Sequence, residues 1–173
     1  MPITATRAKT ALLANDFSPR TVLVDPRDGS PVDALTNFQF QITTPAPKTV
    51  DGRFANDDSM RVVLTPLAFR LATVTMSTGL ISHEQFHWDC AFVVGRRLAK
   101  VLAGLRGSTA AELESKSIQA RDYHFGTRNN LIQRRYDLDT HHGTSAHYQK
   151  IWKDRMSACL ADRNATQIGG FYL

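Results

Sequence analysis

The sequence is poor in the features that would assign it to several classes of protein. Among its 173 residues there are only two cysteines, Cys90 and Cys159, which are too few for a disulfide framework and do not form a Cys-x-x-Cys pair. No apolar run is long enough to cross a bilayer. The apolar run near the N-terminus, residues 11–14, is shorter than the core of a signal peptide. We therefore expect free thiols, no membrane span and, from the sequence as it stands, no export signal.

Charge of one sign does not dominate either. Lysine and arginine outnumber aspartate and glutamate by 21 to 16, which leaves a net charge of +5. Such a balance can attract nucleic acid or anionic lipid. The sequence contains no nucleic-acid-binding motif, however, and basic residues such as Arg128, Arg134 and Arg135 are more typical of a solvated surface. The 42% hydrophobic and 21% charged content indicates an ordinary globular protein, most economically a single domain over residues 1–173.

Glutamate is the scarcest charged residue, since only Glu84, Glu112 and Glu114 occur. One of the three stands in the motif His83-Glu84-x-x-His87. Residues four apart on an α-helix lie on the same face, so His83 and His87 can bind one metal ion while Glu84 lies beside it. Zinc hydrolases use this arrangement to activate water. The sequence hypothesis is a zinc-dependent hydrolase with one Zn²⁺ per chain.

The apolar residues around the motif recur with helical periodicity from about Leu80 to Leu105, after a cap at Ser77 or Thr78. His83 and His87 fall in the apolar sector of this helix and should point into the fold. Burial lowers the pKa of histidine, so both imidazoles should be neutral and able to bind a metal.

The sequence predicts an α+β fold in which a small N-terminal sheet packs on this long helix. Residues 1–76 should be mainly β: residues 38–42 alternate so that Phe38, Phe40 and Ile42 face the core, and Pro66 separates two further strands. Residues 77–165 should be mainly α, with one helix capped at Thr109 and a last helix over about residues 145–163.

A catalytic zinc needs a third protein ligand. The position ten residues after His83, where one class of zinc peptidases has a histidine, is occupied by Val93. Glu112 or Glu114 is an alternative, although the spacing of Glu112 from Thr109 predicts a capping role. His141 and His142 stand beside a glycine, where a loop can approach the metal closely, and are preferred.

The second motif is Tyr136-Asp137-x-x-Thr140-x-His142-Gly143, followed by Gln149 and Trp152. Together with His83-Glu84-Gln85-x-His87 in a long helix, it resembles a bacterial domain-of-unknown-function family described as predicted secreted zinc-dependent proteases. The resemblance covers roughly residues 78–160.

This resemblance implies a zincin-like fold, a peptide or protein substrate, and secretion or a periplasmic location. It also implies that His83, His87 and His142 bind the zinc ion and that Glu84 is the general base. His141 would then be a neighbour, either a proton donor or a loop residue. Nothing in the first 75 residues matches the family, so the resemblance implies nothing about substrate selection.

Three further residues have candidate roles beside the metal. Tyr136 can stabilise an oxyanion, or it can be a buried tyrosine with a satisfied hydroxyl. Asp137 or Asp139 can accept the second N–H of a ligand histidine, or either can lie at a cap or on the surface. Two other functions stay open: a non-catalytic protein that keeps the zinc or histidine cluster as structure, and a nucleic-acid-associated protein. The sequence does not address the oligomeric state.

Overall fold

The computed structural model describes residues 3–173 and has its longer strands before its helices, as the sequence predicts. The strands are β1 (Thr4–Arg7), β2 (Ser18–Arg20), β3 (Ala34–Ile42), β4 (Lys48–Val50), β5 (Arg53–Ala55), β6 (Arg61–Leu71), β7 (Arg106–Gly107), β8 (Gln167–Ile168) and β9 (Phe171–Tyr172). The helices are α1 (Thr78–Gly104), α2 (Ala110–Arg121), α3 (Asn129–Thr140) and α4 (Ala146–Ala161), and a π-helical segment, Asp122–Arg128, joins α2 to α3. The protein is thus mixed α/β with a small sheet.

The main sheet is built around β6, which pairs antiparallel with β3 on one side and parallel with β1 and β2 on the other. The expected break at Pro66 is wrong, because β6 is continuous. The Leu64 carbonyl accepts a hydrogen bond from Ala8, and strand alternation turns the Pro66 nitrogen to the same side. On that side β1 pairs with β6 before Pro66 and β2 pairs with it after Pro66. Among residues 3–173, no strand lies opposite Pro66 on this side, so its missing N–H removes no hydrogen bond of the sheet.

The alternating residues 38–42 form the second half of β3, as predicted. Phe38 and Ile42 pack against the core. The expectation that Phe40 also faces the core is wrong, since it is 41% exposed. Its ring stacks instead on Phe125 of the π-helical segment, with centroids 4.6 Å apart. In the part of the chain that the structure describes, the outer edge of β3 pairs with no other strand.

Helix α1 packs against the sheet and against the other long helices. The Ser77 hydroxyl caps its first turn by accepting a hydrogen bond from the Leu80 amide at 3.1 Å, as predicted. Its fully buried side chains meet those of β6 in the core, which includes Trp88, Val94, Leu98, Leu102, Val62 and Leu64. No helix found between residues 3 and 173 is sufficiently long and apolar to span a bilayer.

Of the four α-helices in residues 3–173, α3 is the one that sequence periodicity did not predict. Its buried face carries polar as well as apolar side chains: Asn129, Ile132, Gln133, Tyr136, Asp137 and Thr140. Because polar and apolar residues are mixed on this face, the apolar residues alone show only a weak helical periodicity in the sequence. This face packs against α1 and brings the second sequence motif to the first.

Candidate metal centre

Three buried side chains from two helices meet at one point. His83 and His87 come from α1 and Asp137 comes from α3, and each is at most 5% exposed. The Oδ1 atom of Asp137 lies 3.2 Å from Nε2 of His83 and 3.0 Å from Nε2 of His87. The two Nε2 atoms are 3.2 Å apart. This group could hold a metal ion.

The spacing of these three atoms fits a small divalent cation. At zinc-ligand distances of about 2.0–2.1 Å and tetrahedral angles, neighbouring ligand atoms are about 3.3 Å apart. The separations around His83, His87 and Asp137 are 3.0–3.2 Å. The side chains are therefore arranged with little need to move when a metal binds.

The chemistry of the group also fits a cation. A carboxylate oxygen and the unprotonated nitrogen of a neutral imidazole each present a lone pair, and such lone pairs repel each other unless a proton or cation lies between them. Burial lowers the pKa of His83. Burial acts in the same direction on His87, but the negative charge of Asp137 outweighs it and holds the pKa of His87 above its usual value.

Asp137 is ionised in this environment. Burial by itself would raise its pKa, but the charge of His87, the close ring nitrogens of His83 and His87, and the charge of Arg27 hold the pKa of Asp137 well below its usual range. Although both Nε2 atoms lie within 3.2 Å of it, the buried Oδ1 atom forms no well-aligned hydrogen bond within residues 3–173. A buried, charged and unbonded carboxylate oxygen is the kind of atom that a metal ion satisfies.

Glu84 lies in the wall of the same cavity. The cavity has a volume of about 380 Å³ and is lined by His83, Glu84, His87 and Asp137. Glu84 is 3% exposed, and its Oε2 atom has no hydrogen-bond partner among the described residues. A carboxylate in this position can take up a proton from a molecule in the cavity.

The structure does not bring His142 into the group. His142 is exposed and lines the cavity beside Thr144, and its backbone N–H donates to the Asp137 carbonyl at 2.8 Å. His141 ends α3 in the left-handed conformation and is exposed. Asp137 therefore lies beside His83 and His87, where the family resemblance implies His142. The role of His142 as a ligand stays a prediction.

Gly143 explains why the second motif contains a glycine. Its φ is +85°, and a Cβ at this position would lie 3.0 Å from Cγ and Nδ1 of His83. The loop therefore presses against the imidazole ring of His83, and glycine suits both this close approach and the positive φ.

The other residues of the second motif support this loop. The Thr140 hydroxyl accepts a hydrogen bond from the Gly143 amide at 3.2 Å and donates to the Tyr136 carbonyl at 2.8 Å. The Gln149 side-chain amide donates to the Gly143 carbonyl. Trp152 donates through Nε1 to Asp139 at 3.1 Å. The residues of the second motif thus hold the loop that contacts His83 of the first motif.

Comparisons with known proteins identify no family for the chain. No family model matches it, and no curated protein and no solved structure matches it significantly. The family resemblance and the zincin-like fold therefore stay predictions drawn from the two motifs.

Tyr136 lies behind the metal centre. Its ring stacks on Phe86 with centroids 3.7 Å apart and on His83 with centroids 4.8 Å apart. It lines a different cavity, between α1 and α4, from the one that contains Glu84. Burial, with the charges of Asp137 and Glu84, raises the pKa of its phenol far above the usual value. The structure places Tyr136 as a packing partner of His83, and its oxyanion role stays a hypothesis.

Glu112 lies away from the cluster and has a structural role. The Thr109 hydroxyl accepts from the Glu112 amide at 3.1 Å. The Glu112 carboxylate accepts from the Ser108 amide at 2.6 Å and pairs with Lys116 at 2.6 Å. Asp139 likewise pairs with Arg135.

Two positions of the site escaped sequence reasoning. Asp137 had been considered as a partner of a ligand histidine, a cap or a surface residue but not as a ligand, and Arg27 had not been considered for the site at all. One signal was available for Asp137. It lies four residues after Gln133 and eight after Asn129, so the three residues share a face of the helix, and all three are buried.

Proposed function

We propose that this protein is a zinc-dependent peptidase in which His83, His87 and Asp137 bind the metal and Glu84 is the general base. The observation that carries the proposal is the convergence of three buried ligand atoms within 3.2 Å of one another, next to a buried glutamate in the wall of the same cavity. Two histidines and one carboxylate leave a coordination position open, as catalytic zinc sites do.

Iron is the competing metal for this donor set. Two histidines and a carboxylate also hold non-haem iron in oxygenases. Glu84 favours hydrolysis, because it follows His83 directly in the His-Glu-x-x-His spacing and supplies a base beside the metal. We therefore assign zinc and a hydrolytic reaction.

In the proposed reaction, the metal and the residues of the chain have different roles. When bound, zinc supplies Lewis-acid chemistry that polarises a carbonyl and lowers the pKa of water. Glu84 accepts the proton of the attacking water and returns it to the leaving amine. The low exposure of Glu84 and the cluster keeps bulk water away, which strengthens the electrostatic interactions in the site.

The position of β3 supports a peptide as the substrate. Its first residues, Ala34–Thr36, line the cavity that contains Glu84. A second cavity of about 510 Å³ continues from Leu35 and Thr36 along β3 to Phe40. An extended peptide adds readily to the free edge of a sheet through main-chain hydrogen bonds. Such a peptide would pass in front of Glu84.

The proposal is tested with protein purified without chelator. We expect about one zinc ion per chain by elemental analysis and hydrolysis of unstructured peptides. Glu84→Gln should keep the zinc but lose about 10²- to 10⁴-fold in turnover, the contribution typical of a general base. Glu114→Gln, on the exposed face of α2, is the matched control and should change neither property.

Each alternative to a zinc peptidase predicts a different outcome of these measurements. Zinc that is retained without hydrolysis of any peptide in a diverse library would support a non-catalytic zinc protein. Bound iron with oxygen-dependent turnover would replace the hydrolase assignment. Failure to bind zinc, even after Zn²⁺ is added, would overturn the metal site itself.

A further inference from the structure

The loop at residues 25–30 is held together by its own hydrogen bonds. The Asp25 amide donates to the Ser30 carbonyl at 2.8 Å, and the Gly29 amide donates to the Asp25 carbonyl at 2.7 Å. The Ser30 amide donates to the Asp28 carboxylate at 2.9 Å. These bonds, and the bridge between Val24 and Pro31 that closes the loop, give the segment a defined shape.

Arg27 is anchored in this loop by Asp25. The Arg27 amide donates to Oδ1 of Asp25 at 2.8 Å. Its Nε atom lies 2.9 and 3.0 Å from the two Asp25 oxygens, and Nη2 lies 2.5 Å from Oδ2. Asp25 is 3% exposed. The guanidinium therefore has one orientation, because a planar fork bound to a buried carboxylate cannot rotate freely.

The same guanidinium reaches the metal centre. Arg27 Nη2 donates to Oδ2 of Asp137 at 2.5 Å. The other oxygen of Asp137, Oδ1, is the one that faces His83 and His87. Arg27 thus occupies one carboxylate oxygen and leaves the other for the metal.

We infer that Arg27 is a positioning residue of the metal centre, which binds Oδ2 of Asp137 so that only Oδ1 is presented to the ion. Asp25 holds Arg27 in this position. The N-terminal part of the chain, which carries no recognisable motif, thereby contributes to the site. The inference rests on the proposed metal site but not on peptidase activity.

The binding of Zn²⁺ itself tests this inference. Partners that orient a metal ligand typically contribute 10- to 100-fold to metal affinity. We expect Arg27→Gln to weaken Zn²⁺ binding by about this factor, measured by competition with a chelating dye. Arg27→Lys keeps the charge but not the fork, so it should restore part of the affinity. Asp25→Asn, a milder change to the same contact, should weaken binding in the same direction.

The control is Arg7→Gln. Arg7 forms an ion pair with Asp89 on α1, and its side chain is 12% exposed compared with 23% for Arg27. This variant loses a comparable ion pair at a carboxylate that lines a different cavity from that of the candidate metal ligands. It should lower the melting temperature without changing Zn²⁺ affinity.

A spectroscopic measurement separates positioning from general destabilisation. With Co²⁺ in place of Zn²⁺, the visible absorption bands report coordination number and geometry. Arg27→Gln should alter these bands, because Asp137 is free to turn and to offer both oxygens. Arg7→Gln should leave them as in the unaltered protein.

The outcomes distinguish the two proposals. Unchanged Zn²⁺ affinity and Co²⁺ bands in folded Arg27→Gln would overturn the role of Arg27 while leaving the metal centre intact. Weakened binding in this variant, in a protein that cleaves no peptide, would support Arg27 and overturn the peptidase. If the unaltered protein binds neither ion, both proposals fail.

Discussion

Asp137 places its Oδ1 atom 3.0 Å from Nε2 of His87, and this contact joins helix α3 to helix α1 at the metal centre. It offers a carboxylate as the third ligand of a metal ion, whereas the family resemblance implies the histidine at position 142. A carboxylate brings a negative charge into the site. That charge holds the pKa of His87 above its usual value against the effect of burial.

The Asp137 carboxylate should be indispensable for metal binding. Asp137→Asn keeps the shape of the side chain but removes its charge, so Zn²⁺ affinity should fall by more than the roughly 100-fold that orienting partners contribute at most. The measurement is Zn²⁺ competition with a chelating dye. Asp139→Asn, two residues away and paired with Arg135, is the control and should bind Zn²⁺ normally. Near-normal binding by Asp137→Asn would refute the ligand assignment.

His142 should matter for turnover more than for the metal. Because its side chain lines the cavity but does not join the cluster, His142→Ala should retain Zn²⁺ within a few-fold and reduce peptide hydrolysis. Elemental analysis and peptide cleavage on one preparation measure both effects. A loss of zinc as severe as that of His83→Ala would instead establish His142 as a ligand, as the family resemblance implies.

The contact between Gly143 and His83 should appear as a stability difference between two glycine variants. Gly143 and Gly170 have nearly the same φ, +85° and +87°, but a Cβ would strike His83 only at Gly143. Gly170→Ala should lower the free energy of unfolding by about 1–2 kcal/mol through backbone strain alone. Gly143→Ala should cost about 1–3 kcal/mol more, because the methyl group overpacks the ring.

Urea unfolding of both variants without metal measures these costs, and Zn²⁺ titration then shows whether the ring has moved. Only Gly143→Ala should bind Zn²⁺ more weakly. Equal effects at the two positions would show that the loop does not press on His83.

Glu112 should stabilise the protein in a pH-dependent way without affecting the metal. Lys116, followed by Ser108, lowers the pKa of its carboxyl from 4.5 to about 2. A carboxyl whose pKa is lower in the folded state adds stability above pH 4.5, and this is lost as the pH falls from 4.5 towards 2. The difference in unfolding free energy between the unaltered protein and Glu112→Gln should shrink over this range.

The control for this prediction is Glu114→Gln, at an exposed position of the same helix, which should show a smaller difference at every pH. Zn²⁺ affinity should be the same in both variants. Reduced Zn²⁺ binding by Glu112→Gln would instead indicate that Glu112 is a ligand of the metal.

The parts of the site that depend on residues close together in the sequence could be predicted. Helix α1, its cap at Ser77 and the shared inward face of His83 and His87 follow from helical periodicity and capping chemistry. The strand at residues 38–42 follows from alternation in the same way. Pro66 was misread because its tolerance depends on which strands flank β6, which is not a local property.

The sequence by itself determined that two histidines and a glutamate share one turn of a buried helix, because residues four apart on a helix must meet. Only the tertiary structure decided what stands opposite them. Asp137 reaches His87 because the polar face of α3 packs against α1, and Arg27 reaches Asp137 because a closed loop from the N-terminal part lies beside both. Contacts between such distant positions depend on how elements pack, and no local periodicity encodes them.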